Sequence, residues 1–287
     1  MSNSGHPDKF AVLGHPIGHS LSPLMHQASF RALDYNAIYL AFDVHPAKLG
    51  AVLPAMRDMG FRGVNLTIPL KEVAFDLLAD LHEDARRLGA VNTVEMTAEG
   101  GLRGHNTDSY GFLRALEEAF GVSPEGLRVL LLGCGGAGRT VAIAAAMQGA
   151  TEVLLADVDE NRTAAVAAEI GALDCDVRVG GLSGDKREWA EAAAESDLIV
   201  QATPVGMKPG DPSLLDPGVF NSGQYVFDLI YMYPSTPLMQ AAAAAGARTA
   251  NGLGMLLHQG ARAFTIWTGM QPDTDAMRGA LEQAVYG

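Results

Sequence analysis

The sequence predicts an α/β protein in two parts: a small α/β domain with a mostly parallel sheet, then a doubly wound dinucleotide-binding domain. Three observations carry this. Short apolar runs alternate with segments of helical period along the whole chain, the pattern of strand–helix–strand units. The stretch Arg128–Thr140, RVLLLGCGGAGRT, joins a strand to a small-residue helix through clustered glycines. With 287 residues, 48% of them hydrophobic, the chain can build two modest cores.

In the first part, Lys9 to Leu13 reads as a buried strand closed by Gly14. The turn-rich GHPIGHSLSP follows, and Ser22-Pro23 is a helix start with Ser as N-cap and Pro at N1. That helix runs to about Leu33. Ile38 to Val44 is a strand, and Pro46 opens a helix ending near Gly60. Arg62 to Ile68 is a third strand, followed by a helix from Leu70 to Ala79. Asp84 to Leu88 is helical, and Val91 to Met96 and Leu102 to Gly104 are short strands.

Chemistry concentrates at three places here. In GVNLTIP, strand alternation puts Val64, Leu66 and Ile68 on one face and Asn65 and Thr67 on the other. Two uncharged hydrogen-bonding groups on an apolar strand suit a polyhydroxylated ligand; an edge strand with one solvated face is the alternative. Lys71 lies in the first turn of a helix, where the macrodipole disfavours a cation. A residue set against a local preference is a candidate for function, and a solvated lysine is the alternative. Asp108, in GHNTDSYGF, precedes a helix whose Phe112, Leu113, Leu116 and Phe120 form an apolar stripe. It reads either as an N-cap or, beside Lys71, as half of a proton-transfer pair.

The second part begins after a linker, Gly121 to Gly126. Gly133 permits the turn after the strand, and Gly135 and Gly136 let backbone approach a pyrophosphate. Ala137 and Gly138 let the helix start close to the strand. The helix N-terminus offers free N–H groups and partial positive charge to phosphate. A plain tight turn is the alternative. The next strand, Glu152 to Ala156, ends at Asp157, about twenty residues beyond the first glycine, where an acid binds ribose hydroxyls and repels a 2′-phosphate. Further strands are expected at 174–179, 197–202, 224–230 and 248–251, with a Trp189/Ala190-inward helix at 186–195 and another at 236–245. Thr203-Pro204 and Asn251-Gly252 follow strand ends, where ligands bind in such sheets.

The tail holds a long helix, Gly254 to Gly269, with Leu257, Ala261, Phe264 and Trp267 as its core stripe. Met255 and Gln259, four apart, share a flank that can face cofactor and substrate; core filler and surface residue are the alternatives. Asp275 to Tyr286 is amphipathic, with Met277, Ala280, Leu281, Ala284 and Val285 inward. It is expected to return to the first domain. The expected boundaries are 1–108, completed by 254–287, for the first domain and 109–253 for the nucleotide domain.

A formal charge of -13, with no basic stripe, argues against nucleic acid or an anionic membrane as partner. Two cysteines, Cys134 and Cys175, make no disulfide framework and suit a reducing cytoplasm. MSNSGHPDKF lacks an apolar core, and no apolar run nears the roughly 18 residues of a span, so neither signal peptide nor membrane segment is expected.

Eight segments together resemble the shikimate dehydrogenase family, including its quinate/shikimate branch. They are GHPIGHSLSPLMH, GVNLTIPLK, GAVNTV, GHNTDSYGF, LLGCGGAGR, ATPVGM, FDLIYMYPSTPL and NGLGMLLHQGARAF, running end to end in the family's order. The resemblance implies a substrate domain, a Rossmann-type domain and a cleft between them. It implies reversible NAD(P)-dependent hydride transfer between 3-dehydroshikimate and shikimate. Carried over by position, it puts Ser20, Ser22 and Tyr231 at the substrate carboxylate. It puts Asn65, Thr67, Asn92, Asp108 and Gln259 at ring hydroxyls, with Lys71 as the catalytic group paired with Asp108. The glycine loop, Asp157, Thr203 and the Gly252–Met255 turn would hold the cofactor. A monomer or homodimer is expected. The rival readings are an NAD-dependent quinate/shikimate dehydrogenase of quinate breakdown and a non-catalytic nucleotide-sensing regulator.

Some positions depart from the family pattern. Many NADP-specific members place Asn-Arg-Thr directly after the second nucleotide-domain strand. Here Asp157-Val158-Asp159 stands there, and Asn161-Arg162-Thr163 follows later. This resembles the NAD-using members, so NAD is the expected cofactor, with NADP as the alternative. Ser22, where some quinate-preferring members carry Thr, points to shikimate over quinate. Cys134 replaces a frequent Ala and reads as a small packing residue. His15, His19 and His26 are broken up by Pro16 and Pro23 and lack an adjacent acidic or cysteine partner, so no metal site is expected.

Overall fold

The computed structural model describes residues 5–208 and 210–287. The first four residues of the segment scanned for a signal peptide lie outside the described residues. The chain divides into two compact units, one running to Gly111 and resuming over Leu257–Val285, the other spanning Phe112–Leu256.

The first unit contains β1 (Asp8–Gly14), α1 (Ser22–Ala32), β2 (Ala37–Asp43), α2 (Leu49–Asp58), β3 (Phe61–Leu66) and α3 (Leu70–Leu77). It continues with β4 (Asp80–Leu81), α4 (Glu83–Leu88), β5 (Thr93–Met96), β6 (Leu102–His105) and the start of α5 (Asp108–Phe120). Its sheet runs β2-β1-β3-β5-β6-β4. The pairings β1–β2, β1–β3 and β4–β6 are parallel, whereas β5 is antiparallel to both β3 and β6.

Alternation along β1 explains why this sheet is covered on both faces. Ala11 and Leu13 join a core with Leu49, Leu53, Val64 and Leu70. Phe10 and Val12 point the other way, into a cluster with Phe30, Tyr39, Phe264 and Trp267. Each fully buried Phe or Leu of this kind stabilises by about 1.5–3 kcal/mol. Trp267 lies so close to β3 that a Cβ on Gly63 would stand 2.1 Å from its indole nitrogen. That nitrogen donates to Val94 O at 3.1 Å.

The second unit contains the rest of α5, then β7 (Arg128–Leu132), α6 (Gly136–Met147), β8 (Glu152–Ala156), α7 (Glu160–Gly171), β9 (Arg178–Gly181) and α8 (Lys186–Glu195). It continues with β10 (Leu198–Gln201), β11 (Tyr225–Asp228), α9 (Pro237–Ala244), β12 (Arg248–Asn251) and the first turn of α10 (Leu253–Thr268). The last helix, α11, spans Thr274–Tyr286. The second sheet runs β12-β11-β10-β7-β8-β9, all parallel. Val129 to Leu132 are buried on both faces, as the continuous apolar run demands.

Several local expectations are corrected. The N-cap of α1 is Leu21, not Ser22, and makes no side-chain cap bond; Ser22 sits inside the helix and contacts Tyr39 instead. β3 ends at Leu66, so Ile68 leaves the strand alternation and is 65% exposed. β3 lies between β1 and β5, which removes the edge-strand alternative for Asn65. In α8 the inward residues are Trp189, Ala192 and Ala193, while Ala190 is half-buried. In α11 Met277 and Leu281 are buried and Ala284 is exposed, because the apolar stripe narrows toward the helix end.

Candidate active site

The glycine turn sits where strand order reverses. β7 is flanked by β8 on one side and β10 on the other, so the crossover helices diverge there and leave a crevice at the strand ends. Gly133 has φ +99°, in the left-handed region. A Cβ on Gly133 would meet Thr203 Cγ2 at 2.8 Å, so the loop after β10 packs directly on the turn. A Cβ on Gly138 would stand 1.9 Å from Gly133 O, which explains why α6 begins so near β7. At Gly135 and Gly136 a Cβ would meet nothing within 4 Å.

This end of α6 suits a pyrophosphate. Its N-cap, Gly135, makes no side-chain cap bond, and the first turn carries no acid. The leading N–H groups are therefore left for an anion, with the helix dipole aimed the same way. Gly252 is another close approach: a Cβ there would stand 2.2 Å from Leu229 O, at the end of β11. Met255 follows in the first turn of α10, half-buried.

Asp157 has structural work in addition to its expected contact with ribose. Its carboxylate accepts from Cys134 N at 2.7 Å and from Asp159 N at 3.0 Å, tying the glycine turn to the end of β8. Val158 beside it is 85% exposed. Arg162 pairs with Asp159 at 3.5 Å. Burial, reinforced by the Asp157 charge, pushes the Cys134 thiol up to about 12, so it is a packing group rather than a nucleophile.

In the other unit, Lys71 and Asp108 meet. They are 37 residues apart in sequence, and Lys71 Nζ donates to Asp108 Oδ2 at 2.5 Å. Their side chains are 23% and 9% exposed. α3 brings the lysine, anchored where Val91 N donates to Lys71 O at 3.0 Å. Asp108 opens α5, and its carboxylate meets Lys71 and Asn92. Asn92 Nδ2 donates to its Oδ1 at 2.8 Å, and its own backbone N–H donates to Asn106 Oδ1 at 3.0 Å.

Three of the other residues singled out in sequence, Asn92, Gln259 and Asn65, connect to this pair. Asn92 Nδ2 lies 3.5 Å from Gln259 Oε1. Asn65 Nδ2 donates to Asn92 O at 3.2 Å and to Thr93 Oγ1 at 2.9 Å. Tyr39 OH donates to Asn65 Oδ1 at 2.7 Å, and the Tyr39 phenol also contacts Ser22. Ser20 Oγ accepts from Ser22 N at 3.4 Å. Thr67 packs over Gly14, whose Cβ would stand 2.5 Å from its methyl. A lysine, a carboxylate and the Asn92 and Gln259 carboxamides thus lie together, with Asn65 and Tyr39 joined to them by hydrogen bonds. Tyr231 belongs to the other unit, on the loop after β11, where burial raises its phenol above the ordinary range.

Two family models match the chain: the shikimate dehydrogenase substrate binding domain over residues 12–94 and the shikimate 5'-dehydrogenase C-terminal domain over residues 252–282. A shikimate dehydrogenase (NADP(+)) of Methanopyrus kandleri is 42% identical over 273 residues, 94% of this chain and 93% of that protein. The chain belongs to the shikimate dehydrogenase family. Its fold matches that of Listeria monocytogenes shikimate 5-dehydrogenase, solved with shikimate and NAD, at a TM-score of 0.89 and 35% identity over 98% of each chain. Quinate dehydrogenase of Corynebacterium glutamicum, solved with NAD, matches at a TM-score of 0.89 and 34% identity over 97% of this chain and 99% of that one. As a shikimate dehydrogenase family member, the protein is an oxidoreductase with a nicotinamide dinucleotide cofactor.

Sequence reasoning passed over Tyr39, Thr93, Asn106 and Thr107. Three of them lay inside segments already quoted, GAVNTV and GHNTDSYGF, as polar residues in runs destined for burial. That was the available signal. Tyr39 carried none beyond strand alternation. His26 is fully buried with neither ring nitrogen bonded to protein, and burial holds its pKa near 3. Its ring stacks on Tyr39 at 4.4 Å and 3°. His15 pairs instead with Asp43 at 2.5 Å. Among the described residues no group of three or more His, Cys, Asp or Glu is placed to hold a metal, and no helix is long and apolar enough to cross a membrane.

Proposed function

We propose that this protein interconverts 3-dehydroshikimate and shikimate, with NAD preferred over NADP. The observation that carries the reading is the Lys71–Asp108 pair at 2.5 Å, enclosed by hydrogen-bonding groups. The nicotinamide, when bound, supplies or takes the hydride at the ring carbon. Lys71 Nζ hydrogen-bonds the reacting oxygen and stabilises the alkoxide that develops there. It then gives that oxygen a proton, and in the reverse direction it receives one. Asp108 holds the ammonium in place and itself accepts from a ring hydroxyl. Asn65, Thr67, Asn92 and Gln259 hold the remaining hydroxyls. Ser20, Ser22 and Tyr231 hold the carboxylate, by the family resemblance. Gly133, Gly135, Gly136, Ala137, Gly138, Thr203, Gly252 and Met255 hold the dinucleotide.

The NAD preference rests on charge. A 2′-phosphate beside the end of β8 would meet Asp157 and Asp159, and the nearby Arg162 is already paired with Asp159. That repulsion weighs for NAD even though curated relatives, such as the Methanopyrus kandleri protein, carry NADP in their names. Shikimate over quinate follows from Ser22, as read in the sequence. Rates on shikimate and quinate, each with NAD and NADP, test both points. The reading expects the highest kcat/KM for shikimate with NAD; a clear advantage for NADP removes the role given to Asp157.

A further inference from the structure

Five buried groups form a hydrogen-bond chain whose direction is fixed by backbone partners. Thr107 N can only donate, and it donates to Asn92 Oδ1 at 2.8 Å. Asn92 therefore turns its Nδ2 toward Asp108. The Asn92 carbonyl can only accept, and it accepts from Asn65 Nδ2 at 3.2 Å. Asn65 therefore turns its Oδ1 toward Tyr39, whose hydroxyl must donate. Between the two amides stands Thr93. Its Oγ1 accepts from Asn65 Nδ2 at 2.9 Å, and its single hydrogen goes to Asn92 Oδ1 at 3.0 Å. The Thr107 hydroxyl is more distant from Thr93, at 3.4 Å, and accepts a second bond from Asn92 Nδ2 at 2.9 Å.

The chain thus reads Tyr39 to Asn65 to Thr93 to Asn92 to Asp108, every link donating the same way, and Lys71 meets its end from the opposite side. Its members are 4%, 5%, 0%, 2% and 6% exposed, so water does not compete for the links. Donors aligned head to tail polarise one another. The His26 ring, stacked flat on Tyr39, holds the phenol in the plane from which it reaches Asn65.

We propose that Thr93 is a positioning residue for the Lys71–Asp108 pair. Its hydroxyl joins the carboxamide of Asn65 to that of Asn92, and so fixes the Asp108 carboxylate against the lysine. Fully buried, it touches no ligand itself. This rests on the function proposed above, and the two fail separately: a wild-type enzyme inactive on shikimate removes the function, whereas the variants below are judged against an active wild type.

The test compares Thr93→Val and Thr93→Ser with wild type for kcat and KM on shikimate, alongside thermal melting. Valine keeps the shape and removes one hydrogen bond in and one out. Thr93→Val is expected to lower kcat about tenfold, the worth of one ordinary hydrogen bond, with KM within about twofold. Thr93→Ser restores the hydroxyl and should bring kcat back to within about twofold of wild type. An unchanged kcat in Thr93→Val overturns the proposal. So does an equal loss in the serine variant, or a loss confined to melting temperature. Should the valine variant fail to fold, Tyr39→Phe removes the first donor without touching β5. It is expected to lower kcat about threefold with KM unchanged, and full turnover there overturns the proposal as well.

Discussion

Replacing Lys71 by methionine keeps much of the aliphatic stem and removes the ammonium. Two consequences separate cleanly. Asp108 loses one partner but keeps Asn92 Nδ2 at 2.8 Å. Asp108 is 9% exposed, so the loss exceeds that of a surface pair, but the lysine is 23% exposed and water screens part of it, so the stability cost is about 1–3 kcal/mol. In a protein of this size that lowers Tm by several degrees, so the variant remains folded at assay temperature. The chemical consequence is far larger. Loss of one donor at a developing oxyanion costs about 10²–10³ in kcat, and the proton source goes with it, so kcat should fall by roughly 10³ or more. The contacts proposed for Asn65, Thr67 and Gln259 remain, so KM should stay within about threefold. Lys71→Arg keeps the positive charge but holds its protons too tightly to give one up. It should sit between methionine and wild type. The assay follows nicotinamide absorbance with shikimate under saturating cofactor, with melting curves run in parallel. A Lys71→Met enzyme within about tenfold of wild-type kcat would remove the lysine from the proton-transfer step.

Three other outcomes follow from the structure. Val158→Arg puts a guanidinium at the exposed end of β8, and should raise kcat/KM with NADP about tenfold while leaving NAD turnover nearly unchanged; no gain with NADP would mean the 2′-phosphate does not lie there. Gly138→Ala sets a methyl 1.9 Å from Gly133 O; it should cost about 1–3 kcal/mol and weaken dinucleotide binding, measured by melting and by titration with NAD. Asp228 is 0% exposed, and burial raises its pKa from 3.8 to about 6. The native state therefore holds that proton more tightly than the unfolded chain, so its contribution to stability is present below pH 3.8 and lost as pH rises through about 6. Asp228→Asn keeps an acceptor for Ile230 N and offers a donor to Thr236 Oγ1. It should be more stable than wild type above pH 6, by at most about 3 kcal/mol, with the gap closing toward pH 4; an equal gap at both ends of the pH range would refute the assignment.

The sequence made the architecture legible because alternation and helical period report burial directly. The continuous run Val129–Leu132 reads as a strand buried on both faces, and the glycines after it as a nucleotide-binding turn or a plain tight one. The two-residue β4 left no periodic trace, and the antiparallel placement of β5 depends on pairing that no local pattern encodes. In the site, Lys71 stood out because it opposed the dipole of its own helix. Asp108 read equally as a cap, since an acid at a helix start is ordinary; only the fold brings it to the lysine. Asp157 was expected to serve the ribose, and the structure adds its backbone bonds to Cys134 and Asp159, which position in sequence does not reveal. Thr93 showed only as a polar residue in a run destined for burial. Its value lies in two hydrogen bonds to residues on either side of it in space, and a threonine in a buried strand looks like any other.

The first unit is built from both ends of the chain, and this sets an order of assembly. Phe10 and Phe30 lie in a cluster closed by Phe264 and Trp267 from α10. A chain still being synthesised presents the aromatic face of β1 long before α10 exists to cover it. The second unit is continuous and can complete its sheet first, since domains fold as units during synthesis. The nucleotide-binding half is therefore positioned to fold while the substrate-binding half still waits for its last helices. During that interval the cluster around Phe10 and Phe30 lacks the Phe264 and Trp267 that complete it.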